Sequence, residues 1–331
     1  MKAACPSVCA IIVTYHPHQV QLTDLLACLL PQVGHIVLID NGSGTATQEQ
    51  LQELTQTSHV SFLPQSDNGG IAKAQNIGID FALRQGFDYI LLMDQDSLPQ
   101  ADTVAILLAA LTAQQHTTAA VGPCFVDQRT GQQSHFVRFR HGMLRRQPAS
   151  PNQDIVATDF LIASGMLIPA DVLATVGKMD ERLFIDHVDT EWCLRAAASG
   201  YALFGVPQAR MLHELGDGSI KLRLLGNRSF PHHHPLRYYY GVRNSLLMLR
   251  RAYIPVSWKL ALLLRCLFIS ISSLVLLPRK WLRIKMIGIG IADGLHQATL
   301  PGRQAGWDDL AADAVGALIG TWVLARLGWA R

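Results

Sequence analysis

An α/β fold with a mostly parallel central sheet is the class this sequence predicts, and three observations carry it. Short apolar runs alternate with amphipathic segments through the first 220 residues, the pattern of strand–helix–strand units. Asp40, Asp94 and Asp96 close such runs, and ligands of open parallel sheets bind just beyond the carboxyl ends of the strands. A length of 331 residues with 49% apolar content suits one large domain, or a domain with an appendage, and argues against disorder.

The elements follow in order. Residues 8–14 read as a buried first strand, 20–30 as a helix, and 35–40 as a second strand ending in Asp40-Asn41-Gly42-Ser43. Residues 48–55 read as a helix, 60–63 as a short third strand, 71–84 as a helix, and 89–93 as the fourth strand. After a helix over 103–115 the alternation breaks. Residues 119–126 read as a strand, and the polar stretch 127–158 as a long loop or hairpin, which in a compact domain tends to be functional. Residues 160–168 return to strand character, and Pro169-Ala170-Asp171 opens a short helix through Val176. Asp186, His187, Asp189 and Glu191 precede a helical segment ending near Ser199; residues 201–206 read as the last strand of the body, followed by Met211-Leu212-His213.

The run Leu91-Leu92-Met93-Asp94-Gln95-Asp96-Ser97 is the most informative local feature. Side chains alternate along a strand, so Asp94 and Asp96 leave it on one side. Hard cations such as Mg²⁺ or Mn²⁺ take oxygen ligands from such pairs, although Asp-x-Asp is also ordinary turn chemistry. Asp40-Asn41-Gly42-Ser43 is likewise good turn chemistry. The Asn68-Gly69-Gly70 turn permits close approach of backbone to a ligand and opens a helix whose free N–H groups favour anions, and a purely structural turn needs the same residues. Asp189 suits either a helix cap or a general base. Glu191 and Arg195, four apart, read as a solvated helix pair.

Composition separates a body from a flank. Six cysteines lie scattered with no Cys-x-x-Cys pair, which argues against a zinc ribbon or a disulfide framework. The amino terminus shows no secretory signal, so a cytoplasmic protein is expected. Residues 1–220 carry 12 Lys/Arg against 21 Asp/Glu, whereas residues 221–285 carry 13 Lys/Arg and no acid. The division predicts a catalytic domain over 1–220 and a basic, apolar helical region of amphipathic helices over 221–331. Long leucine and isoleucine runs in that flank favour an anionic membrane surface over nucleic acid. Residues 260–277 are nearly long enough to span a bilayer, but Arg265 inside them would cost about 2.5–3.5 kcal/mol at its centre. Helices lying in the interface, with Trp258 and Trp281 near the headgroups, are the preferred reading. The tract His232-His233-His234 reads as a loop, and residues 310–327 as an amphipathic segment that packs on the flank or pairs subunits of a homo-oligomer.

Four segments, in order, resemble the family 2 glycosyltransferases over about residues 8–250: Cys9 to Tyr15, Ile39-Asp40-Asn41-Gly42-Ser43, Asp94-Gln95-Asp96, and Asp189-Thr190-Glu191-Trp192-Cys193-Leu194-Arg195. Asp94-Gln95-Asp96-Ser97, the Asn68 to Asn76 turn and helix, and Leu183 to Asp189 look most like bacterial rhamnosyltransferases. The resemblance implies a nucleotide-diphospho-sugar transferase (GT-A-like) fold and inverting transfer of a sugar, with dTDP-L-rhamnose as donor and galactofuranosyl or hexosyl donors as alternatives. It implies a donor site of Thr14, Tyr15, Asp40, Asn41, Asn68 and Gly69, continued by Lys73, Asn76, Asp94, Gln95 and Asp96. A Mg²⁺ or Mn²⁺ ion would sit on Asp94, Asp96 and His213, and Asp189 would be the base. Asp186, His187, Glu191 and Arg195 would lie on the acceptor side. The commoner family pattern has a Glu before the acceptor-side aspartate, where this chain has Val188. Such an enzyme would work at the inner face of the bacterial plasma membrane on a lipid-linked glycan acceptor of surface polysaccharide. A sugar nucleotidyltransferase is disfavoured because Thr14-Tyr15-His16-Pro17-His18 replaces its Gly-rich basic loop, and a non-catalytic assembly factor because all four aspartates are intact.

Overall fold

The computed structural model describes residues 7–114, 117–128, 131–140, 143–150, 153–213, 218–222, 228–232, 235–275 and 280–299. The segment 310–327, His233 and His234 lie outside these. Two compact units emerge, Met1–His232 with Tyr253–Trp258, and His233–Ala252 with Lys259–Arg331.

The first unit is built on β1 (Val8–Thr14), β2 (His35–Asp40), β3 (Val60–Pro64), β4 (Tyr89–Asp94), β5 (Ser97–Pro99), β6 (Thr118–Asp127), β9 (Val156–Thr158), β10 (Met166–Pro169) and β11 (Ala202–His213). Their order is β3-β2-β1-β4-β10-β6-β11-β5, with β9 also on β11. Six strands share one direction, and β5, β9 and β10 run against it. Every residue of β1 is buried, as a strand covered on both faces must be. Val8, Ala10 and Ile12 join a core with α1 (Gln19–Leu29) and α4 (Thr103–Ala113). On the other face, Ile11 meets α3 (Ile71–Arg84) at Gly78, where an added Cβ would lie 2.5 Å from Ile11 Cγ2. Only glycine lets that helix sit so low on the strand.

Two local expectations change. The strand expected over 160–168 shrinks to β10, because Ser164 and Gly165 turn the chain; Gly165 has φ +82°, and a Cβ there would strike Pro123 at 2.5 Å. Met211-Leu212-His213, expected to follow the last strand, continues it: β11 passes a register shift between Val206 and Arg210 and runs on to His213. The polar stretch 127–158 forms a hairpin of β7 (His135–Arg140) and β8 (Met143–Pro148), then β9.

The described part of the second unit comprises α7 (Pro235–Leu249), most of α8 (Val256–Val275) and α9 (Lys280–Thr299). Tyr238, Val242 and Ile287 form its small core with Cys266 and Ile269 beside them. Gly290 brings α9 close enough to α7 that a Cβ would sit 2.7 Å from Tyr239 O. Arg243 Nε pairs with Asp293 Oδ2 at 2.8 Å, both side chains buried, and the Tyr239 hydroxyl donates to the same carboxylate. No helix among the described residues is long and apolar enough to cross a membrane.

Candidate functional site

Sheet register assembles the site. The chain leaves β3 at one side and returns beyond β1 to β4, which opens a crevice at the ends of β1, β2 and β4. Thr14 pairs with Asp40 and Val13 with Asp94, so these groups meet at one edge. Across it, β11 pairs with β5 and sets His213 opposite Ser97. One ligand atom each from Asp94, Asp96 and His213 lies within 4.8 Å of the others.

This trio fits a divalent cation. Asp96 Oδ1 is buried, with His213 Nδ1 3.3 Å away as its ion-pair partner. A desolvated carboxylate oxygen left unsatisfied is costly unless a cation or donor meets it. Burial alone would lower the pKa of His213. Its contact with Asp96 and the charges of Asp94, Asp96 and Asp127 outweigh burial and raise the pKa above the ordinary value. The pocket therefore draws positive charge, and carboxylate oxygens with one imidazole suit Mg²⁺ or Mn²⁺.

A buried hydroxyl chain holds the trio in place. Ser164 Oγ accepts from the Asp94 N–H at 3.2 Å and lies 2.7 Å from Ser97 Oγ, which is 2.8 Å from His213 Nδ1. Both serines are fully buried. The neighbouring residue, Ala163, lies towards the other half of the site, where its main chain acts to lower the pKa of Asp189. Sequence reasoning missed Ala163 and Ser164, because in an apolar run they read as strand interior.

Asp189 opens α6 (Val188–Ala198). Its Oδ1 accepts from the Thr190 N–H at 2.7 Å and the Thr190 hydroxyl at 3.3 Å. Desolvation raises its pKa, with the charge of Asp186 adding to it, against the lowering effect of those hydrogen bonds and that from Ala163. The segment leading to it is strained: Phe184, Asp186 and His187 have φ of +60°, +63° and +64°. It is held from the donor side, where Phe184 O accepts from the N–H of Ile71 and of Ala72 at the start of α3. Gly70, with φ +87°, makes room for the contact, since a Cβ there would lie 2.6 Å from the Phe184 ring.

Other expected site residues carry structural partners. The Asp40 carboxylate, fully buried, accepts from Thr14 Oγ1, the Ser43 N–H, Ser43 Oγ and Gln48 Nε2, which fills its lone-pair positions. Asn41 Nδ2 donates to Asn68 Oδ1 and its Oδ1 accepts from the Gly69 N–H, so these residues brace the turn before α3. Lys73 is exposed and its stem lies over Gly69. Asn76 gives its amide to Met179 and Glu181. Gln95 clasps the Tyr15 main chain, Oε1 accepting from N–H at 2.8 Å and Nε2 donating to O at 3.3 Å. The Tyr15 side chain is 46% exposed at this edge.

Glu191 and Arg195 differ most from expectation. They form a buried bidentate pair, at 2.9 and 3.0 Å, with Glu191 wholly buried. Arg195 also donates to Val176 O and Lys178 O, and the Tyr253 hydroxyl donates to Glu191. α6 packs this face inward against the preceding segment, so the pair braces the base rather than standing in solvent.

A crevice at the strand ends, a cation-fitting trio and a carboxylate of raised pKa define a class, and comparison with known proteins agrees. The sequence model of glycosyl transferase family 2 matches residues 9–174. The chain belongs to that family and is a glycosyltransferase. Within it, the chain resembles bacterial rhamnosyltransferases: it is 34% identical to the dTDP-rhamnosyl transferase RfbF of Shigella flexneri over 251 residues, 75% of this chain and 81% of the relative. It is 27% identical to the galactofuranosyltransferase GlfT1 of Mycolicibacterium smegmatis, covering 85% of this chain and 96% of that one. Two solved structures share the fold, S. aureus TarS 1–349 in complex with UDP-GlcNAc (TM-score 0.56, 15% identity, 88% of this chain and 81% of that one), and the mannosyltransferase PcManGT of Pyrobaculum calidifontis in complex with GDP-Man and Mn²⁺ (TM-score 0.51, 16% identity, 95% and 81%). The GT-A-like fold expected from sequence is the fold observed.

Proposed function

We propose that this protein is an inverting rhamnosyltransferase that moves L-rhamnose from dTDP-L-rhamnose to a lipid-linked glycan acceptor of a bacterial surface polysaccharide. The observation that carries the mechanism is the trio of Asp94, Asp96 and His213 at the strand ends, with one ligand atom of each within 4.8 Å of the others. Asp94, Asp96 and His213 are the residues to hold a divalent cation, which when bound would offset negative charge on the leaving diphosphate. Asp189 accepts the proton of the acceptor hydroxyl as its oxygen bonds to the anomeric carbon. The bond from that carbon to the diphosphate oxygen breaks, its electron pair leaves with the nucleotide, and attack opposite the leaving group inverts the centre. A raised pKa makes Asp189 a stronger base than an ordinary carboxylate. The turn of Asn41, Asn68 and Gly69 with exposed Lys73 faces the start of α3, an arrangement that suits the diphosphate. Donor identity rests on the RfbF similarity; the GlfT1 similarity favours galactofuranosyl transfer as the second reading.

The acceptor reading rests on the flank. Val256, Leu260, Leu263, Leu264, Leu267, Phe268 and Ile271 of α8 are all exposed. At about 100° per residue they fall in an arc of about 140°, with Lys259 and Arg265 on its two sides. A helix of this kind lies in a membrane interface with its cations reaching to headgroups, which suits a peripheral enzyme at the inner face of the plasma membrane. The deciding experiment incubates the protein with Mg²⁺ or Mn²⁺ and a panel of nucleotide sugars, reading slow hydrolysis and thermal stabilisation. dTDP-L-rhamnose at about 100 times its dissociation constant should stabilise the fold by about 2.7 kcal/mol. Stabilisation by UDP-galactofuranose alone would move the assignment to the second reading, and none by any donor would end it.

A further inference from the structure

The β7–β8 hairpin carries more positive charge than its own fold can use. Its register sets Arg138 opposite Arg145 and Val137 opposite Arg146. Like charges facing across a strand pair destabilise it, so the arrangement points to an outside anion. Asp159 Oδ1 lies 4.0 Å from Arg138, while Arg145 and Arg146 have no acidic partner among the described residues.

Strand β7 is anchored from Phe136 to Phe139, and β8 opens on two exposed apolar residues. Phe136 is buried against Gly205, where a Cβ would fall 2.1 Å from its ring. Asp159 Oδ2 accepts from the Phe139 N–H at 2.7 Å, and Thr158 Oγ1 donates to Val137 O at 2.8 Å. At the start of β8 Met143 is 54% and Leu144 47% exposed. The Phe139 ring stands 5.0 Å from that of Trp258.

We propose that this hairpin is a second membrane contact of the catalytic unit, with Met143 and Leu144 entering the acyl boundary and Arg138, Arg145 and Arg146 meeting the phosphates of anionic phospholipids. The inference rests on the membrane reading above and adds a contact to it. Exposed apolar residues flanked by arginine suit lipid better than a soluble anion, which would have no use for Met143 and Leu144.

Co-sedimentation of the full chain with vesicles tests it, using phosphatidylcholine alone and equal parts phosphatidylcholine and phosphatidylglycerol. Arg145→Gln with Arg146→Gln should weaken binding to the anionic vesicles by about 25-fold, about 5-fold for each arginine, and change binding to neutral vesicles little. Met143→Ser with Leu144→Ser should weaken binding to both. Unchanged melting temperature and donor hydrolysis in detergent show that the variants fold. If the hairpin variants bind like the parent while Leu264→Ser with Leu267→Ser loses binding, the hairpin inference fails and the α8 reading stands. If the parent binds neither vesicle, both fail.

Discussion

Ser164→Ala isolates the buried hydroxyl chain from the rest of the site. The change deletes an acceptor for the Asp94 N–H at 3.2 Å and a partner for Ser97 Oγ at 2.7 Å, in a place with no solvent access. An unpaired buried N–H costs about 1–3 kcal/mol, which sets the expected loss of stability in a urea titration. The larger effect falls on the cation. Ser97, having lost its neighbour, no longer orients His213 Nδ1 at 2.8 Å, and Asp94 loses the bond that fixes its backbone. Removing groups that orient metal ligands typically lowers affinity by about 10–100-fold. Calorimetric titration of the purified chain with Mn²⁺ should show that loss. Asp189 should keep its role, because its hydrogen bonds come from the N–H and hydroxyl of Thr190, which alanine at 164 leaves in place. Wild-type Mn²⁺ affinity together with the expected stability loss would refute the reasoning and make Ser164 a core residue only. Absence of Mn²⁺ binding by the parent would instead refute the cation site itself.

Other outcomes follow from the same geometry. Asp96→Ala should abolish cation-dependent nucleotide binding in the same titration, because it removes one of the three candidate ligands of the trio. Asp189→Asn should retain nucleotide binding and lower transfer by about 10²–10⁴-fold in a coupled assay. A group whose folded pKa is raised contributes stability below its unfolded pKa and loses it as pH rises through the folded value. The Asp189 charge therefore costs stability at neutral pH; Asp189→Asn should be more resistant to urea than the parent there, with the gain vanishing in acid. The acid limb of the transfer rate should lie above the ordinary carboxylate range for the same reason. Glu191→Gln should destabilise by about 3–5 kcal/mol in chemical denaturation, since it strands the Arg195 guanidinium among buried partners.

The sequence was legible where local chemistry and spacing suffice. Continuous apolar runs marked β1, β2 and β4, and the positions of Asp40, Asp94 and Asp96 at run ends placed them at the sheet edge before any coordinates. It misled where exposure decides the role. Glu191 and Arg195 have the spacing of a surface pair, but which face of α6 turns inward depends on what packs against it. For Asp40 the sequence shows a strand-end carboxylate but not its surroundings, since the hydroxyls of Thr14 and Ser43 and the amide of Gln48 come together on it only through the sheet and the following helix.

Sequence alone determined the class of fold, the family and the paired carboxylates, because period-two alternation and strand-end placement are local properties of the chain. Tertiary structure decided which residues share the site. His213 lies 117 positions after Asp96 and reaches it through the pairing of β11 with β5. Ser164 gains its role because a positive-φ glycine turns the chain beside β4, setting its hydroxyl on the Asp94 N–H and Ser97 across a distance that no local pattern records.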